Sequence, residues 1–198
     1  MLLYDNPGSG NCYKVRLLLA HLGILYERRV LSVEDRSNRS EVLGGLNPAL
    51  RVPTLVLDDG RPLGESNAIL WYLADGTRYV PEERYARAQV LQWQFFEQYD
   101  HEPNVAVARF WLRHRGSEVD RSALAARQAG GYRALDAMER HLAGRTYLVG
   151  EHYSLADISL YAYTHVAAEG GFDLGRYPAI RKWLGRVAAE PGHVTIEA

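Results

Sequence analysis

The first third of the chain alternates short apolar runs with amphipathic ones. Leu2-Leu3-Tyr4 reads as a buried strand, and Tyr13 to Ala20 carries apolar positions at helical spacing. The pattern predicts a strand near 1–5, a helix near 11–23, a strand near 26–32 and a helix near 34–44. Thr54-Leu55-Val56-Leu57 then reads as an apolar strand, Asp58-Asp59-Gly60 as a hairpin turn, and Arg61-Pro62-Leu63 as its return. A further helix opens around Glu65-Ser66 and runs on through Ala68-Ile69-Leu70. Beyond Pro81 the character changes and no convincing strand remains. Glu82–Arg115 is one long aromatic-rich amphipathic run, followed by helical patterns over Asp120–Leu142, Ser154–Ala168 and Pro178–Ala189. An α/β layer is therefore expected over residues 1–77 and an all-helical region over 82–198. Gly130-Gly131 marks a weak point or a place of close helix approach.

Three short segments carry the candidate chemistry. Pro7-Gly8-Ser9-Gly10-Asn11-Cys12 forms a turn into the first helix and sets small polar side chains at its start. Unpaired N–H groups and the positive end of the helix dipole favour an anion there, although Ser and Asn also serve as ordinary caps. Asn47-Pro48-Ala49-Leu50-Arg51-Val52-Pro53 is a loop running into a strand. Pro53 lacks an N–H and fits a strand entrance, with a cis Val52–Pro53 bond as an option. A cis bond there would turn the Val52 N–H and C=O outward, where an extended peptide could pair with them. Glu65-Ser66 stands at another helix start, suited to one amino group and one carboxylate.

Taken together, Pro7-Gly8-Ser9-x-x-Cys12, Asn47-Pro48-x-x-Arg51-Val52-Pro53-Thr54-Leu55 and Glu65-Ser66-x-Ala68-Ile69 resemble the cytosolic glutathione transferases, in particular bacterial members of delta, theta and nu-like type. The resemblance implies a thioredoxin-like N-terminal domain (βαβαββα) followed by an all-α C-terminal helical domain. It implies a glutathione-binding first domain over 1–77 and a second-substrate pocket lined by 82–198. By the same resemblance Ser9 stabilises the glutathione thiolate, with Asn11 as the rival. Arg51 meets the glycyl carboxylate, Val52 before Pro53 pairs with the cysteinyl backbone, and Glu65 and Ser66 hold the γ-glutamyl end. Leu50 stands where delta-like members have a His, so that contact is missing. Tyr99, His101 and Arg109 are candidates for the pocket of a small apolar electrophile. A homodimer is implied as well.

Composition narrows the alternatives. A net charge of −1 argues against a nucleic-acid binder that works by neutralising phosphates. A single cysteine excludes an internal disulfide and suits a reducing cytoplasm. Cys12 occupies the second position of a Cys-x-x-Cys arrangement whose first position is Ser9, so disulfide cycling within the chain is impossible and packing is the expected role. No leader-like segment or bilayer-length apolar run is visible. The seven histidines are scattered without a metal-binding motif, so no metal is expected. Ser154-Leu155-Ala156-Asp157 reads as a helix capping box rather than a nucleophile and its partner. Two readings compete with conjugation chemistry: a protein-interaction module that has kept this fold, and a glutathione-dependent disulfide reductase led by Asn11.

Overall fold

The computed structural model describes residues 1–198 and divides them into two compact units, Met1–Gly76 with Pro191–Ala198, and Thr77–Glu190. The last segment, which the hydrophobic pattern assigned to the helical region, belongs with the first unit. Tyr13 donates its hydroxyl to the Val194 carbonyl at 2.7 Å, and Arg16 Nη2 donates to that of Ile196 at 2.5 Å.

The first unit contains β1 (Leu2–Asp5), α1 (Gly10–Leu22), β2 (Glu27–Val30), α2 (Arg39–Leu43), β3 (Thr54–Val56), β4 (Pro62–Leu63) and α3 (Ser66–Ala74). Its sheet runs β2-β1-β3-β4, with β1 parallel to β2 and antiparallel to β3, and β3 antiparallel to β4. Alternation along β1 separates two cores. Leu3 packs with Leu55, Val15, Leu19 and Ile69, whereas Tyr4 packs with Leu31 and Leu43. The edge strand β2, Glu-Arg-Arg-Val, is exposed throughout, and its charges discourage pairing with another chain. Gly23 closes α1 at φ 64°, a left-handed position that glycine adopts without a Cβ penalty. The helix expected near 34–44 shortens to Arg39–Leu43, because Ser32 and Asp35 tie the preceding residues into turns through side-chain bonds to backbone N–H groups.

The second unit is helical: α4 (Arg84–Phe96), α5 (Glu102–His114), α6 (Arg121–Leu142), α7 (Leu155–Thr164) and α8 (Pro178–Ala188). The run expected to be continuous over Glu82–Arg115 is divided by a π turn at Glu97–His101, with Pro103, which has no N–H to give, in the first turn of α5. Gly130 and Gly131 mark close approach. A Cβ at 130 would sit 2.4 Å from the Asn104 side chain, and one at 131 would sit 2.4 Å from the Phe172 ring. Every residue of α7 is buried, which makes it the core of this unit. Asp157 completes the capping box at its start and also accepts from Leu148 N–H and Trp183 Nε1, each at 2.9 Å. No helix is long and apolar enough to cross a membrane.

Candidate functional site

Ser9 is the N-cap of α1. Its oxygen accepts from the Cys12 N–H at 3.3 Å, which leaves the hydroxyl proton to be donated elsewhere. The turn that presents it is held from below. Arg16, almost fully buried in α1, donates to the carbonyls of Asn6 at 3.2 Å and Pro7 at 3.1 Å, and to both oxygens of buried Asp5.

Asn11, in the first turn of α1, meets Ser66 at the start of α3. Ser66 Oγ lies 3.4 Å from Asn11 Oδ1, and Lys14 Nζ bridges them at 2.8 Å from Asn11 Oδ1 and 3.5 Å from Ser66 Oγ. Lys14 is fully buried, and the sequence reading missed it. In Tyr13-Lys14-Val15-Arg16 the two cations stand at helix positions where a charge ordinarily reaches water, and no local signal marks their burial. Ser66 is therefore not a cap: Glu65 takes the N-cap position without a side-chain bond to the helix, and the Ser66 hydroxyl reaches across to Asn11.

The loop before β3 and the turn before α3 share a brace. Asn47 Nδ2 donates to Thr54 Oγ1 at 2.9 Å and to the Arg51 carbonyl at 3.2 Å, and Thr54 Oγ1 donates to the same carbonyl at 2.8 Å. A Cβ on Gly64 would stand 2.9 Å from Asn47 Nδ2, so position 64 has no room for a side chain. Leu50 and Glu65, at φ 53° and 62°, are the chain's non-glycine residues with positive φ. Such a backbone costs ~1–3 kcal/mol and persists only where its surroundings enforce it, commonly at ligand clamps. One immediately precedes Arg51-Val52 and the other precedes Ser66. The Val52–Pro53 bond is cis, and neither backbone polar group of Val52 is taken by another backbone group.

Cys12 lies fully buried beneath this surface. Burial pushes its thiol up to about 12, with the Asp5 charge adding to the effect, so it remains a protonated packing residue.

Two of the three residues expected to line an electrophile pocket are buried among the helices. His101 is fully buried, with Nε2 3.0 Å from Thr164 Oγ1. Arg109 is buried and pairs with Glu169 at 2.9 Å, alongside Arg113 at 2.7 Å. Helix packing in the second unit consumes both. Tyr99, on the π turn, is exposed. A cavity of about 790 Å³ between the start of α4 and the Tyr147–Ser154 loop includes none of the three.

The N-terminal domain model of the glutathione S-transferases matches residues 8–75, and the C-terminal domain model matches residues 90–191. The chain belongs to the glutathione S-transferase family. It is similar to a glutathione S-transferase of Pseudomonas fluorescens, 50% identical with a TM-score of 0.97 over 100% of this chain and 98% of that one. It is likewise similar to a glutathione S-transferase of Xanthobacter autotrophicus, 45% identical with a TM-score of 0.94 over 98% and 96%. The disulfide-bond oxidoreductase YfcG of Escherichia coli is 29% identical over 96% of this chain and 90% of its own length. As a family member the chain has the thioredoxin-like and all-helical pair of domains that its motifs implied, and both motif-bearing helix starts fall inside the first matched domain.

Proposed function

We propose that this chain is a glutathione transferase that binds glutathione on its first unit, ionises the thiol and conjugates it to a small apolar electrophile. The observation that carries the reading is the junction of two helix starts at Asn11, Ser66 and buried Lys14, beside the N-cap hydroxyl of Ser9. Two helix N-termini and an ammonium group make this a place for anions. Ser66 takes the γ-glutamyl carboxylate and Glu65 the ammonium. The cysteinyl backbone pairs with the N–H and C=O of Val52, which no other backbone group takes, and Arg51 meets the glycyl carboxylate. Ser9 then donates its proton to the sulfur, with Asn11 as the second donor.

The energetics are consistent with this assignment. Lowering a thiol from ~8.5 to ~6.5 needs ~2.7 kcal/mol of preference for the thiolate. A hydrogen bond to a charged group contributes ~1.5–3 kcal/mol, and a helix terminus ~0.3–1 kcal/mol more. The proton leaves to solvent, and the sulfur lone pair forms the new bond to carbon as the leaving group departs or a conjugated double bond accepts the electrons. No metal takes part, and the place of action is the cytoplasm. A second reading, reduction of disulfides or peroxides led by Asn11, draws on Lys14, which holds Asn11 Oδ1 and so sets the direction of its amide.

The working form in this proposal is a homodimer. Leu91, Phe95 and Tyr99 recur every four residues and are all exposed, as is Tyr72 on α3. Such an apolar stripe suits a second copy of the chain. Sedimentation giving only a ~22 kDa species at micromolar concentration would remove this part of the proposal.

The deciding experiment is a pH titration of the ultraviolet thiolate absorbance of glutathione bound to wild type, Ser9→Ala and Asn11→Ala. A bound-thiol pKa ~2 units below the free value in wild type, returned most of the way by Ser9→Ala, is the expected result. Loss confined to Asn11→Ala would favour the reductase reading. Binding with an unshifted thiol in wild type would return the chain to the class of interaction modules.

A further inference from the structure

Within the second unit a cavity of about 790 Å³ opens between residues 78–89 and the loop 147–154, with Glu190 at its edge. Its volume falls in the ~300–1,000 Å³ range of small-molecule sites. None of the residues assigned to glutathione lines it, so its occupant is independent of the function proposed above.

Two chemistries meet on its walls. Val149 and Tyr153 are almost fully buried and give it an apolar base, and the Tyr147 ring packs beside that of Tyr153 with centroids 5.8 Å apart. The rim is negative. Glu82, Glu83 and Glu151, all exposed, join half-buried Glu190 against one guanidinium, that of Arg78, and the His152 imidazole. The whole chain has a net charge of −1, so this excess of carboxylate is local. Glu190 pairs with Arg78 at 3.7 Å, whereas Glu82, Glu83 and Glu151 enter no ion pair. Neutral donors fix two of these without cancelling their charge. The N–H groups of Tyr85 and Ala86 bond to Glu83, each at 2.7 Å, and the Thr146 hydroxyl donates to Glu151. The same N–H bonds hold the Glu83 carboxyl below its ordinary value, so it is ionised at neutral pH.

This wall already shows how it treats a cation. The Arg78 guanidinium lies 4.9 Å from the Tyr79 ring centroid as well as beside Glu190, between an aromatic face and a carboxylate. That pair of partners is also what recognises organic ammonium groups. A metal ion fits poorly, because nowhere do three His, Cys, Asp or Glu side chains converge on one point. An anion is opposed by the carboxylates.

We propose that this cavity binds an organic cation, an amine carried on an apolar body, with the body against Tyr147 and Val149 and the ammonium among Glu82, Glu151 and Glu190. The apolar base supplies contact area, and the rim selects the sign of the charge.

Calorimetric titration of the purified full chain at neutral pH with phenylbutylamine, phenylbutanol and phenylbutyrate tests it, since the three share one body and differ in charge. Saturable binding of one amine per chain is expected, with the alcohol about tenfold weaker and the carboxylate without measurable binding. Glu151→Gln, which keeps an acceptor for Thr146, should weaken the amine about threefold, and Glu82→Gln combined with it about tenfold. Both variants should bind phenylbutanol as wild type does. Ala86→Phe fills the cavity without changing its charge and should weaken amine and alcohol alike, with the fold checked by circular dichroism. Absence of saturation, equal affinity for amine and alcohol, or amine binding untouched by the paired glutamate changes overturns the proposal. Amine binding that survives Ala86→Phe unaltered overturns it as well, because it would mark attraction to surface charge rather than occupancy of the cavity.

Discussion

Each unit contains an aspartate with no exposure to solvent, and the two are compensated in opposite ways. Asp5 sits between two cations, with Arg16 at 2.7 Å on one oxygen and Arg28 on the other. Asp157 has no cation. Four neutral donors surround it: the N–H groups of Leu148 and Ser154 and Trp183 Nε1 at 2.9 Å, and the Ser154 hydroxyl at 3.0 Å. Charge pairing in the first unit ties together segments far apart in sequence, namely β1, α1, β2 and the final residues. Dipolar donors in the second unit fix one helix start and seat α8 against it. The difference bears on the proposed function because Arg16 also holds the Asn6 and Pro7 carbonyls of the turn that leads to Ser9. The ionic node lies under the proposed site, whereas the dipolar node lies within the helical core.

The comparison breaks most severely at the dipolar node. Asp157→Ala removes the acceptor from three buried N–H donors and should cost ~5 kcal/mol, read as a lowered urea midpoint or as loss of soluble protein. Next comes Arg16→Met, which strands one side of a buried carboxylate. A loss of ~4 kcal/mol is expected, together with a bound-glutathione thiol pKa that moves back toward its free value in the fraction still folded. If Arg16→Met left that pKa where it was, the ionic node would have no bearing on the site.

Proton uptake separates the two aspartates further. Burial pushes the Asp157 carboxyl up to about 6 in spite of its donors, against an ordinary value of 3.8. The folded chain therefore holds this proton where the unfolded chain has lost it. Stability from this group is fully present below about pH 4 and is lost as pH rises to about 6, a change of ~3 kcal/mol. Asp157→Asn has no such proton, so the stability difference between wild type and variant should shrink by about that amount across the window. A difference that stays flat from pH 4 to 6 would mean that the four donors keep Asp157 ionised throughout. The mildest expected effect is removal of Pro191–Ala198. It takes away four carbonyl acceptors, those of Pro191 and Ala198 at exposed positions, and the buried Ile196 side chain, for ~2–3 kcal/mol of stability in the first unit.

Much of the frame was legible from local pattern. Alternation and helical spacing report which face of an element is buried, and turn chemistry at Asp58-Asp59-Gly60, the Ser154–Asp157 box and the Val52–Pro53 bond each have local causes. The ionic node was not legible. Lys14 and Arg16 occupy helix positions where a charge ordinarily reaches water, and only tertiary partners far along the chain explain their burial. The π turn at Glu97–His101 lies within an unbroken amphipathic pattern, so nothing in that pattern marks the break or the burial of His101. Docking of the last residues on the first unit has no signature in any window, since it depends on the carbonyls they present, with Ile196 their one buried side chain.

That docking has a consequence for the order of events on the ribosome. The segment up to Gly76 emerges first, yet two of its buried side chains, Tyr13 and Arg16, bond to carbonyls at positions 194 and 196. The first unit to be synthesised is thus the last to acquire its full set of hydrogen bonds, and throughout elongation of the helical unit the turn beneath Ser9 lacks one of its native tethers.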